Sequence, residues 1–233
     1  MPTLFEIIKN KLARKSPVPE KSEEERVWNP LGIKVGAFAS LDVLDYRGKQ
    51  FKIVGVRAYD ATTNPPTGSG VSKKHFKCCE YVLRCDEQVA FLRTWPDPVD
   101  PKKFNVFLLE LKYDTPWDED GEPIVLACRD PGPELNFKED NEELGIHDEY
   151  WRVDKNPDSF KATVQVLEDL DGSGRVDSGE VVTERLEYWD FWRDWEFEGV
   201  KSLQYLYLEM NTEHGHVQGK RGEQIEPERV FIS

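Results

Sequence analysis

The stretch "ASLDVLDYRGKQFKIVGVRAYD", residues 39–60, decides the fold class. From Leu41 its apolar residues fall into a period of two, the pattern of a pleated strand with one buried face. It reads as two strands joined around "YRGK", with Phe51, Ile53 and, after a break at Gly55, Val56 on the inner face. Downstream, "ATTNPPTGSG" has the composition of a loop, and "HFKCCEYVLRC", "QVAFLRTW", "KFNVFLLELKY" and "PIVLAC" continue the strand texture, each closed by Pro, Gly or Asp. The second half repeats it in "EYWRVD", "FKATVQVLED", "SLQYLYLEM" and "ERVFIS", while "NTEHGHVQGKRGEQ" has the turn chemistry of a hairpin. Short strands at such spacing predict an antiparallel sheet closed as a sandwich or a barrel-like body.

Upstream the period changes. Leu4, Ile7, Ile8 and Leu12 recur at helical spacing, with Lys9, Lys11, Arg14 and Lys15 on the remaining faces. A short amphipathic helix is expected there, docked on the body or on a partner, and Glu6 in its polar face argues against a membrane surface. "KSPVPEKSEEER", residues 15–26, follows as a charged linker punctuated by proline. The expected fold is therefore α+β, predominantly antiparallel β, with a short N-terminal helix. Residues 1–27 form helix and linker, and residues 28–233 form a β-rich body, either one domain or two halves divided near 131–145.

Bulk composition narrows the function. Hydrophobic residues make up 38% and charged residues 33% of the 233, and 31 Lys and Arg against 45 Asp and Glu leave a net charge of −14. That balance disfavours a nucleic-acid backbone as partner. Residues Asp114 to Glu149 hold 13 of the acids against Arg129 and Lys138, a concentration read as a solvated surface. No window is apolar enough for a transmembrane helix, and "LFEIIKNKLARK" lacks the apolar core of a signal peptide, so a cytoplasmic location is expected. Cys78, Cys79, Cys85 and Cys128 fit reduced core residues better than zinc ligands, because adjacent Cys78 and Cys79 point to opposite faces of a strand.

The segment with the most specific chemistry is "DLDGSGRVDSGE", residues 169–180. Calcium is a hard cation that takes six to eight oxygens, and a twelve-residue calcium loop supplies them from its first, third, fifth, seventh, ninth and twelfth positions. Those positions hold Asp169, Asp171, Ser173, Arg175, Asp177 and Glu180, with Arg175 offering its backbone carbonyl. Gly174 stands where the sharp turn needs glycine, and Val176 where the loop is tied to a core. In this the segment resembles EF-hand and dockerin-type calcium loops, in which the last Glu gives both carboxylate oxygens. The preceding "FKATVQVLED" alternates as a strand, whereas "VVTERLEYWDFWRDW" after it is open to a helix or an extended chain. The competing reading is an acidic hairpin turn around "DGSG" with no metal.

Other clusters carry less. "YWDFWRDWEF", residues 188–197, puts Trp189, Phe191, Trp195 and Phe197 on one strand face and Tyr188 and Trp192 on the other, which fits burial between two layers better than a sugar-stacking platform. His214 and His216 in "EHGH" are expected to share a strand face. They suit either a transition metal with Glu213 or Glu223, or simple polar turn neighbours. His75 and His147 have no nucleophile or orienting acid at a recognised spacing. From "NPLGIKVGAFASLDVLDYRGKQFKIVGVRAYD" through "LEYWDFWRDW" to "RGEQI" the chain is similar to uncharacterised bacterial domains of unknown function, a resemblance that implies a bacterial, cytoplasmic, non-enzymatic protein. The functional expectation is a non-catalytic module with one calcium loop. Its alternative is a metal-free structural or interaction module that recruits an unknown protein partner through the N-terminal helix and the aromatic face. An enzyme would need a cleft lined by Trp and convergent carboxylates.

Overall fold

The computed structural model describes Thr3 and residues 27–63, 74–100, 102–117, 121–129, 136–141, 146–153, 159–168, 181–197 and 199–233. In chain order the elements are β1 (Phe38–Leu41), β2 (Gln50–Thr63), β3 (His75–Cys85), β4 (Gln88–Pro96), β5 (Phe104–Pro116), α1 (Glu122–Arg129), β6 (Asn136–Asn141), β7 (Ile146–Arg152), β8 (Phe160–Glu168), β9 (Val182–Phe197), β10 (Val200–Asn211), β11 (His216–Ile225) and β12 (Val230–Ile232). Eight strands close on themselves in the order β2, β3, β4, β5, β11, β10, β9, β8 and back to β2, every pair antiparallel. Closure leaves these strands without a free edge.

β2 shows how the closure is made. Its ladder with β3 shifts register between Ile53 and Gly55. Before that bulge its other edge pairs with β1, and after it with β8. A bulge bends its strand and increases the local twist, so the two halves of β2 diverge to different partners. β9 divides in the same way, pairing β8 along its first half and β7 at Phe191 and Trp192. The hairpin β6–β7 and the pair β1–β12 are thus flaps on the barrel wall. Strands from both sides of residues 131–145 share the one sheet, since β5 pairs β11 and β2 pairs β8.

Both faces of the wall are buried, which explains why runs such as "VFLLEL" and "YLYLEM" are apolar almost throughout. Outside, Val27, Leu31, Ile33, Leu41 and Val43 cover Phe51, Ile53, Tyr81, Leu83, Leu92 and Leu108. On the opposite side Val125 and Cys128 of α1, with Phe137 and Tyr150, cover Trp189, Phe191, Leu206, Leu208 and Val217. Inside, Tyr59, Phe91, Phe107, Leu109, Phe160, Ala162, Val164, Leu186, Tyr188 and Tyr207 fill the lumen. Gly222 marks the closest approach of β11 to β5: a Cβ there would stand 1.9 Å from the Leu108 carbonyl oxygen.

Two sequence expectations are corrected. The α+β class gives way to a mostly β protein, a closed eight-stranded antiparallel barrel. The anticipated helix over Leu4–Leu12 and the linker at 15–26 lie outside the described residues, but Thr3 beside that helix makes an antiparallel bridge to Phe231, an extended and not a helical contact. The one α-helix among the described residues is α1, where "PIVLAC" reads as a strand. Val125 and Cys128, three positions apart, are its buried residues, Pro123 sits in the first turn, and Glu122 and Arg129 complement the helix dipole.

Candidate functional site

The barrel has a waist and two mouths. At the waist, four charged side chains in the interior of four different strands meet. Arg93 Nε donates to Glu80 Oε2 at 2.8 Å and its Nη2 to Glu209 Oε1 at 2.5 Å. Lys220 Nζ donates to Glu80 Oε1 at 2.6 Å and to Glu209 Oε2 at 3.1 Å. The Tyr59 hydroxyl reaches both carboxylates, at 3.2 Å and 3.1 Å. Arg93, Glu80 and Lys220 are wholly excluded from solvent, and Glu209 nearly so. Burial by itself raises both carboxyls, but the Arg93 and Lys220 cations overcome it and hold Glu80 and Glu209 below the usual carboxylate range. Burial also pulls the Lys220 ammonium below its ordinary range, against the pull of the two carboxylates. The waist is therefore a plug of paired charges with its hydrogen bonds made.

Above it lies an aromatic mouth, an open cavity of about 460 Å³. Phe76 from β3, Trp95 and Pro96 from the end of β4 and Tyr188 from β9 line it, with Asp97 and Pro98 at the start of the β4–β5 connection and Asp190 on the inward face of β9. Phe76 meets Phe160 edge-on at 5.0 Å, and Trp95 lies 4.4 Å from Phe107. Tyr207 sits behind them, stacked on Tyr188 at 6.0 Å and edge-on to Trp95 at 6.0 Å. The Arg93 guanidinium closes the floor over the rings of Tyr207 at 4.6 Å, Tyr59 at 4.8 Å and Tyr188 at 5.7 Å. Tyr188 accepts from Arg93 Nη1 at 3.3 Å, whereas the buried Tyr207 hydroxyl has no hydrogen-bond partner among the described residues. Such an orphan costs about 1–3 kcal/mol unless something else satisfies it.

The rim is charged but largely engaged. His75 Nε2 meets Asp60 Oδ1 at 2.7 Å and Lys77 Nζ meets Asp60 Oδ2 at 3.0 Å. Asp97 Oδ1 accepts the backbone N–H groups of Asp100 and Val99, which hold its carboxyl below the usual range. His75, which has no companion by sequence spacing, thus has one across the β2–β3 ladder.

The opposite mouth is polar and smaller, about 220 Å³, with Arg57, Glu168, Glu184, His216 and Gln218 among its lining residues. Arg57 Nη2 donates to Glu184 at 3.0 Å, and His216 Nε2 meets Asp114 Oδ1 at 2.5 Å. β8 ends and β9 begins at this mouth, as antiparallel neighbours. The six candidate calcium ligands, Asp169, Asp171, Ser173, Arg175, Asp177 and Glu180, lie outside the described residues. The segment following them, open to helix or strand by sequence, is the extended β9.

The histidine cluster does not assemble. His214 lies in the β10–β11 turn, with its N–H on Asn211 Oδ1, while β11 starts at His216, so the two share no strand face. Glu223 lies toward the far end of β11, opposite Gln204. Among the described residues no three His, Cys, Asp or Glu are grouped to hold a metal. Cys78 faces the lumen cluster and Cys79 the outer one, as adjacent strand residues must, and burial pushes the Cys78 thiol up to about 12. In the aromatic run, Trp189 and Phe191 are buried under α1 and β6–β7, Tyr188 is buried in the lumen, and Trp195 is exposed.

The waist and the mouth both escape a reading by motif. A signal for the waist exists: "CCEYV", "FLRTW", "YLEM" and "QGKRG" each carry charge within a strand that is otherwise fit for burial. Compared with known proteins, the chain matches no family model, no curated protein and no solved structure.

Proposed function

We propose that this protein is a small-ligand-binding β-barrel whose ligand sits in the aromatic mouth. The observation that carries the reading is the open cavity lined by Phe76, Trp95 and Tyr188. Eight-stranded barrels have room for side chains or for one small ligand, and binding sites combine apolar walls with a few placed polar groups. The charged waist limits how deep a ligand enters. A binding role fits better than catalysis because His75 and Lys77, the basic groups of the rim, are both engaged by Asp60. Isothermal titration with benzyl alcohol, benzoate and benzyltrimethylammonium checks it: at least one is expected to bind with a Kd of about a millimolar or tighter, and Trp95→Ala to abolish the heat. No binding by any of the three removes the reading.

A second reading rests on the sequence of residues 169–180: the segment holds one calcium ion between β8 and β9. What favours it is the agreement of Asp169, Asp171, Ser173, Gly174, Val176, Asp177 and Glu180 with the loop's requirements, together with the acidic Glu168 and Glu184 at the same mouth. Bound calcium at about ten times its Kd stabilises the folded state by about 1.4 kcal/mol, a rise in Tm of a few degrees for a chain of this size. Chelated protein is expected to show that rise with calcium and not with magnesium, and the Asp169→Ala, Glu180→Ala variant to lose it. An unchanged Tm at millimolar calcium makes the segment a hairpin turn and nothing more.

A further inference from the structure

We infer that the mouth's ligand class is a small organic cation, an amine or quaternary ammonium carried on a flat apolar body; this deepens the reading of the mouth as a binding site and depends on it. The charge balance of the rim points there. Its two basic groups, His75 and Lys77, both face Asp60, at 2.7 Å and 3.0 Å, so neither is set to receive an anion. Two acids, Asp97 and Asp190, are among the lining residues. Asp97 is fixed at the rim by the N–H groups of Val99 and Asp100, and Asp190 stands on the inward face of β9 two positions from Tyr188. A carboxylate or phosphate entering the mouth meets both of these like charges.

The aromatic walls agree with the charges. Trp95, Tyr188 and Phe76 offer ring surface, and cations are attracted to the negative faces of such rings. The barrel already uses this recognition one layer down, where the Arg93 guanidinium lies over Tyr59, Tyr188 and Tyr207. At long range the net charge of −14 draws cations toward the molecule.

The three-probe titration also tests the class, with salt and Asp190→Asn as added arms. Benzyltrimethylammonium is expected to bind about tenfold tighter than benzyl alcohol and benzoate to bind weakest. The cation's affinity falls as salt rises while that of the alcohol does not, and the preference shrinks in Asp190→Asn. If benzyl alcohol or benzoate binds as tightly as the cation, the class is wrong while the mouth remains a site. If none of the three binds, the mouth itself is not a site. Comparing the probes on the unaltered protein, at low and high salt, decides the class even if Asp190→Asn does not fold.

Discussion

Replacing Arg93 with alanine is expected to lower the free energy of unfolding by about 3–5 kcal/mol. Arg93 has no exposed surface and lies between Glu80 and Glu209, so its removal leaves two buried carboxylates facing Lys220 with one cation missing. The cost comes less from the lost attraction than from the charge left without compensation in a medium where water cannot reach it. Chemical denaturation of the variant measures it, with Lys138→Ala as the contrast. Lys138 pairs with Glu149 at 3.4 Å on the surface, and its loss is expected to cost no more than about 1 kcal/mol. The waist also fixes the sign of the acid response. Because Glu80 and Glu209 are held below their unfolded values, the stability they contribute is present above about pH 4.3 and is lost as the pH falls further. A cost below about 1 kcal/mol for Arg93→Ala means that the waist is not the sealed charge cluster described above.

Trp189→Ala is the second large effect, with an expected loss of about 3–5 kcal/mol. Its ring is 1% exposed on the outer face of β9, in the cluster that joins the barrel wall to α1, Phe137 and Tyr150. Deleting it removes the transfer free energy of an indole and leaves a cavity beneath a thin outer layer. Trp195, six residues along the same strand, is 39% exposed and lies over Arg193 at 4.8 Å. Its replacement by alanine is expected to cost no more than about 1 kcal/mol. Thermal or urea unfolding of the two variants side by side separates them; equal losses contradict the layered arrangement of β9.

These contrasts mark what local pattern reveals. Period two in residues 39–60 makes β2 legible, and the break at Gly55 coincides with the bulge that lets β2 change partners, whereas β1 already ends at Leu41 and a 3-10 turn, Leu44–Tyr46, precedes "RGK". The opposite faces of Cys78 and Cys79 follow from strand geometry alone. Helix α1 is hidden because its apolar residues form a short run whose period is ambiguous over eight residues. The charged waist is hidden for a different reason: Lys220 and Glu80 are 140 residues apart, and Arg93 and Glu209 are 116 apart. Only closure of the barrel brings these charges together. The aromatic mouth is likewise assembled from β3, β4 and β9, so neither "HF", "TW" nor "YWD" carries a signal of it alone. Within "YWDFWRDWEF", alternation separates the faces but does not say that α1 covers Trp189 and leaves Trp195 exposed.

An amide chemical-shift map of the isotope-labelled protein, recorded as benzyltrimethylammonium is added, tests the binding site most directly. The predicted result is a single saturable set of shifts centred on Phe76, Trp95, Tyr188 and Asp190. Shifts centred on Glu184, His216 and Gln218, or none that saturate, contradict the assignment of the aromatic mouth as the binding site.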